Sequence, residues 1–246
     1  MAFKILSKVV NKMQKVVGII GGMGPLATVD LMNKIISYTP AMKDQDHIHI
    51  IADNYSQIPD RTTAILGKGI DPTPYIVQSA QRLQNAGAEL LVIACNTAHF
   101  FYEAAEKSVS IPILHMPLET TRFVQENNIK KVGLLATDGT IKSKLYQNSC
   151  RNYRIDVIEP DKELQEKVME GISAIKGGNL EAGFLHLSMV ANQLKENGAE
   201  AIIAGCTEVP LVLKSSENIC IIDPTEILAK IVIKIANEKD KEIIEV

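Results

Sequence analysis

The sequence predicts an α/β protein of two similar domains, each a parallel sheet flanked by helices, with a ligand site in the cleft between them. Three observations carry this. Apolar runs of strand length alternate with helix-like segments, the pattern of βαβ units. Those runs, such as residues 90–94 and Ala201–Ala204, do not alternate with polar residues, as expected of strands buried on both faces. The chain also repeats itself: Gly87-Ala88-Glu89 returns as Gly198-Ala199-Glu200 and Cys95 as Cys206, both shifted by 111 positions (198 − 87 = 206 − 95). A period above a hundred residues is a duplicated domain, not a solenoid.

The elements follow in order. Residues 15–20 form a strand ending in Gly21-Gly22-Met23-Gly24-Pro25, with Pro25 suited to a first helical turn. A helix runs through Leu31 and Ile35, a strand covers 47–52, and a loop covers 53–61. Residues 74–86 are helical and stop at Gly87. Residues 90–94 are a strand, 98–106 a helix and 111–114 a strand. The second half begins with a helix at 120–126 and a strand at 132–136 that echoes 15–20. It continues with a helix at 142–148, a strand at 155–158 and a helix at 162–175. A long helix from Leu180 to Asn197 leads to the strand Ala201–Ala204, a short helix, a strand at 219–222 and a closing helix from Thr225. The resulting division assigns 15–114 plus 219–246 to the first domain, 115–218 to the second and 1–14 to a leader segment.

Composition narrows the function. The chain has 246 residues, no Trp and 4% aromatics, so its core is aliphatic. A net charge of −3 argues against a nucleic-acid binder. No apolar run reaches the length of a membrane span. Four cysteines without a C-x-x-C motif suggest reduced thiols and a cytoplasmic protein. The histidines lack metal-type spacing with the cysteines, so no metal site is expected. Gly22-Met23-Gly24-Pro25-Leu26-Ala27 loosely fits a dinucleotide-binding pattern. That reading explains neither the duplication nor the paired cysteines, so no cofactor is expected.

The paired cysteines carry the chemistry. Each closes a strand and precedes polar residues and a helix-like segment. A helix N-terminus lowers a thiol pKa, so one cysteine is expected as a thiolate base while the other remains a thiol acid. Moving a proton from one face of a carbon to the other requires sulfurs on the order of 7 Å apart, flanking the substrate. Asn96, Thr97 and Thr207 offer donors for a carboxylate and for enolate-like charge. Thr137 and Thr140 occupy the equivalent strand end in the second half, as carboxylate donors or as a helix cap.

Gly21-Gly22-Met23-Gly24-Pro25, Ile58-Pro59-Asp60-Arg61-Thr62, Ala94-Cys95-Asn96-Thr97-Ala98-His99 and Gly205-Cys206-Thr207-Glu208 resemble motifs of the aspartate/glutamate racemase family. They span nearly the whole chain after the leader. The resemblance is closer to the aspartate branch, because Glu208 stands where glutamate racemases carry histidine. It implies a cofactor-independent homodimeric enzyme with Cys95 and Cys206 as base and acid. It further implies that Arg61 and Lys176 hold the distal carboxylate of an acidic amino acid, with Gly22 and Met23 against the substrate's backbone end. A broad-specificity racemase, a related isomerase on the same fold and a non-catalytic amino-acid-binding protein are the alternatives. His99 is read as packing or as tuning the thiol. Cys150 and Cys220 are read as structural.

Overall fold

Strand β1 (Val17–Ile20) is buried along its whole length and has a parallel neighbour on each side. This is the first sheet's centre in a computed structural model that describes residues 14–237. The expected leader lies outside the described residues except for Gln14.

The first half runs β1, α1 (Pro25–Tyr38), β2 (Ile50–Asp53), α2 (Arg61–Ile65), α3 (Thr73–Asn85), β3 (Leu90–Ile93), a 3-10 turn at Thr97–Phe101, α4 (Tyr102–Lys107), β4 (Ile113–Leu114) and α5 (Met116–Glu126). The second half runs β5 (Lys131–Leu135), α6 (Asp138–Ser143), α7 (Leu145–Asn152), β6 (Asp156–Ile158), α8 (Lys162–Lys176), α9 (Leu180–Glu196), β7 (Ala201–Ala204), α10 (Val209–Val212), β8 (Ile221–Ile222) and α11 (Pro224–Asn237). Among the described residues the strands form two four-stranded parallel sheets, ordered β2-β1-β3-β4 and β6-β5-β7-β8. One order maps onto the other, as a duplication requires.

The repeated Gly-Ala-Glu triplet has one physical job in each half. Gly87 and Gly198 adopt φ of +99° and +95°, a left-handed conformation that glycine enters without Cβ strain and that ends α3 and α9. The next N–H turns back onto the helix, Ala88 to the Leu83 carbonyl (3.0 Å) and Ala199 to the Leu194 carbonyl (3.1 Å). The glutamates then accept the N–H just ahead of each central strand. Glu89 takes that of Val16 at 2.9 Å, and Glu200 takes that of Lys130 at 3.3 Å.

Several elements differ from the sequence expectation. The expected division places residues 219 onward in the first domain, yet β8 pairs with β7 in the second sheet through Ile202 with Ile221 and Ile203 with Ile222. The internal repeat points the same way, since residues 219–222 parallel 111–114, whose strand β4 holds the equivalent edge of the first sheet. The helix that follows does return to the first half: Leu228, Ala229, Val232 and Ala236 of α11 share a core with Val17, Leu31, Ile35 and Leu90. The strand expected at 47–52 is Ile50–Asp53. The helix expected at 142–148 is two helices, broken at Lys144, whose φ is +57°. Helix α2 has no counterpart in the sequence expectation; the Asp60 carboxylate caps it by accepting the Thr63 N–H at 2.8 Å.

Candidate active site

The two cysteines come to one place because the two sheets present their carboxyl ends to each other. Cys95 follows β3 and Cys206 follows β7, and both line one narrow cleft. Met23, Asp60, Arg61, Thr62, Asn96, Thr97, Thr137, Lys176, Thr207 and Glu208 complete its wall. Of the residues expected at the site, Gly22 and Thr140 stand outside this lining. Gly22, at φ +87°, packs against the backbone of Tyr55: a Cβ there would lie 2.2 Å from the Tyr55 carbonyl carbon. Thr140 sits behind Thr97.

Both thiols are buried, each 5% exposed. The two have different surroundings. Cys95 leads into a 3-10 turn and then α4. Cys206 leads into α10, a single turn of four residues. Its dominant neighbour is the Glu208 carboxylate. The Cys206 thiol donates to Glu208 Oε2 at 2.9 Å, and the Thr207 hydroxyl donates to the same oxygen at 3.3 Å. Burial first, and the negative charge of Glu208 second, push the Cys206 thiol well above its ordinary value. Cys206 therefore rests as a thiol, despite the helix that follows it.

Asn96 and Thr97, beside Cys95, bond across the cleft to the second half. The Tyr146 hydroxyl donates to Asn96 Oδ1 at 2.5 Å. That bond orients the amide and leaves Asn96 Nδ2, also buried, without a partner among the described residues. Thr97 Oγ1 lies 2.9 Å from both Thr137 Oγ1 and Thr140 Oγ1, which are 3.2 Å apart. Thr137 also caps α6 by accepting the Thr140 N–H. The three threonines thus satisfy one another. They form a buried polar seam between the halves as well as the site's wall.

Arg61 is the site's buried cation. Its Nη1 donates to the carbonyls of Ile58 (3.3 Å) and Pro59 (3.1 Å), and its Nη2 to the carbonyl of Met23 (3.2 Å). A guanidinium has five N–H donors. Three are used, leaving Nε–H and one Nη2–H; Nε is buried and unpartnered among the described residues. Those two donors are the side-on fork that grips a carboxylate. Lys176, at the end of α8, adds a second cation. Burial works to lower its pKa, but the negative charge facing it, that of either thiol when ionised and that of Glu208, outweighs burial and holds it raised, so it is an ammonium. More than a third of its surface is exposed, so water screens these charges.

His99 sits behind Cys95. Its Nδ1 lies 2.8 Å from the Cys95 carbonyl, and the Met116 N–H points at its Nε2 from 3.1 Å. A carbonyl only accepts and an N–H only donates, so Nδ1 carries the proton. Burial, then the neighbouring His115, lowers its pKa to about 3. His99 is thus a fixed neutral strut between the Cys95 backbone and the start of α5. Among the described residues no group of three His, Cys, Asp or Glu side chains is placed to hold a metal ion. No described helix is long and apolar enough to cross a membrane. Sequence reasoning missed the site roles of Glu208 and Tyr146.

Two facing parallel sheets with a cysteine at the mouth of each define a class of protein, and the comparisons agree. The sequence profile of the Asp/Glu/Hydantoin racemase family matches residues 20–232, so the chain belongs to that family and its class is that of the amino-acid racemases. It is 31% identical over 222 residues to the broad specificity amino-acid racemase RacX of Bacillus subtilis (strain 168), covering 87% of this chain and 95% of that one. The structure of Picrophilus torridus aspartate racemase superposes with a TM-score of 0.84 at 34% identity, covering 92% of this chain and 95% of that one. The fold also extends to glutamate racemase from Francisella tularensis subsp. tularensis SCHU S4 in complex with D-glutamate. There the TM-score is 0.68 at 20% identity, over 90% of this chain and 80% of that one.

Proposed function

We propose that the protein racemises an acidic amino acid, aspartate in the first place, by a cofactor-independent exchange of the α-proton between Cys95 and Cys206. The observation that carries this reading is the buried Arg61 guanidinium. It has no carboxylate partner among the described residues and keeps two N–H donors unspent at the cavity that both cysteines line. A buried cation without a counter-charge is costly, and a substrate's distal carboxylate supplies one.

In the forward direction the Cys95 thiolate removes the α-proton. The C–H electron pair moves into the α-carboxylate, giving an enolate-like dianion. The Cys206 thiol then delivers its proton to the opposite face. The reverse direction exchanges the roles. Asn96 Nδ2 is a free donor for the α-carboxylate, and Thr207 follows Cys206 in the same wall. Cytoplasmic location and a homodimer belong to the same reading. A broad-specificity racemase is the second reading, favoured by the likeness to the Bacillus relative.

A chiral assay over a panel of L- and D-amino acids, run with Cys95→Ser and Cys206→Ser beside the unmodified protein, tests both. The expectation is turnover of aspartate above other amino acids, abolished in each variant. Retained racemisation in either variant removes the two-thiol scheme. Equal turnover of neutral amino acids replaces the acidic substrate by the broad one.

A further inference from the structure

Glu208 sets a problem for a site that is to hold an anion, because it places a buried negative charge beside the reacting sulfur. Glu208 is 5% exposed and lines the cavity. Its two oxygens differ. Oε2 accepts both the Cys206 thiol and the Thr207 hydroxyl. Oε1 accepts no hydrogen bond among the described residues and lies over Gly24, where an added Cβ would come to 3.1 Å. Lys176 acts on Glu208 through charge, without a hydrogen bond between them among the described residues. A carboxylate oxygen left open at a polar cleft is a vacant acceptor.

The charges of the proposed substrate say what fills it. An acidic amino acid brings two carboxylates and one ammonium. The cavity offers two cations, Arg61 and Lys176, and Glu208 as an anion whose second oxygen is open. The cleft's other carboxylate, Asp60, caps α2 through Oδ1 and is exposed, so water already solvates it. We propose that Glu208 recognises the substrate's α-ammonium through Oε1 while Oε2 keeps hold of the Cys206 thiol. This rests on the acidic-amino-acid reading above and deepens it. The site then selects for an amine on the carbon that the sulfurs flank, and rejects dicarboxylates lacking one.

The shared carboxylate links recognition to reactivity. Burial and the charge of Glu208 together hold Cys206 as a thiol in the free protein. An ammonium on the same carboxylate cancels part of that charge, so the thiolate becomes more accessible when the correct substrate is seated.

Binding calorimetry on the full chain separates the possibilities, with DL-aspartate and with succinate, the same dicarboxylate without the amine. DL-aspartate avoids heat from net turnover. Glu208→Gln keeps the side chain's shape and removes its charge. The expected result is a loss of at least about tenfold in aspartate affinity, the scale of one charge-assisted hydrogen bond, with succinate binding unchanged or tighter. Succinate binding also reports that the variant's site is folded. Equal weakening of both ligands, or no weakening of aspartate, overturns the role given to Glu208 and leaves the acidic-substrate reading standing. Unmodified protein that binds neither ligand overturns both.

Discussion

At the scale of single residues, neighbours fix what each titratable group does. His99 has an assigned proton because one nitrogen faces a pure acceptor and the other a pure donor. Its pKa of about 3 in the fold lies below the 6.5 it has when unfolded. The unfolded chain therefore binds a proton that the folded chain refuses between those values. The resulting stability is fully present above pH 6.5 and falls as pH drops toward 3, by at most about 1.4 kcal/mol per pH unit. His115, whose pKa burial also lowers, acts with the same sign. His99→Gln should be less stable at pH 7 yet decline more shallowly toward pH 4.5, as read from urea midpoints at several pH values. Parallel declines in the two proteins would show that His99 is not held neutral.

The cysteines were legible at this scale because each stands in a repeated register behind an apolar run. Glu208 was visible only as a departure from a related motif. Nothing two residues from a cysteine says that a side chain folds back onto the sulfur. The bond from Tyr146 to Asn96 joins residues 50 positions apart in different halves. No local pattern encodes such a contact.

Secondary-structure elements set the width of the cleft. The start of α6 meets the first half at Gly139, where an added Cβ would lie 2.9 Å from Thr62 Cα and 3.0 Å from Thr97 Cγ2. The first of these is backbone and cannot rotate aside. Gly139→Ala should therefore force α6 away from α2 despite alanine's better helix propensity, at a cost of about 1–3 kcal/mol. It should also raise KM through Thr97 and Thr137. Steady-state kinetics beside thermal melting checks this, and an unchanged KM would mean that the seam does not govern the site. The long elements were readable from their periodicity and glycine stops. Helix α5 begins at Met116, four residues before the expected start, with Pro117 in its first turn. Proline is tolerated there because that turn's N–H groups have no intrahelical acceptor. Helix α2 is one turn rich in threonine, and its cap is its main signal.

Across the whole molecule, α11 and the loop before it bind the halves together. Lys34 of α1 bonds Asp223 at 2.6 Å and also pairs with Asp30, with all three side chains at least 84% buried. Lys34→Met would leave two carboxylates buried without their cation and should cost about 3–5 kcal/mol in chemical denaturation. A loss under about 1 kcal/mol would mean that water already reaches the trio. The duplicated architecture could be read from the repeat, and so could the sheet that β8 joins, because Ile219-Cys220-Ile221-Ile222 parallels Ile111-Pro112-Ile113-Leu114, the edge strand of the first sheet.

The route of α11 has a consequence for biosynthesis. The strands of the first sheet have all been made by Leu114, yet that half's core waits for Leu228, Ala229, Val232 and Ala236. More than a hundred codons separate the two. At roughly 5–20 residues per second the nascent half spends on the order of ten seconds on the ribosome with that apolar face uncovered. The portion translated first is thus finished last, and chaperone dependence during synthesis should concentrate in that interval.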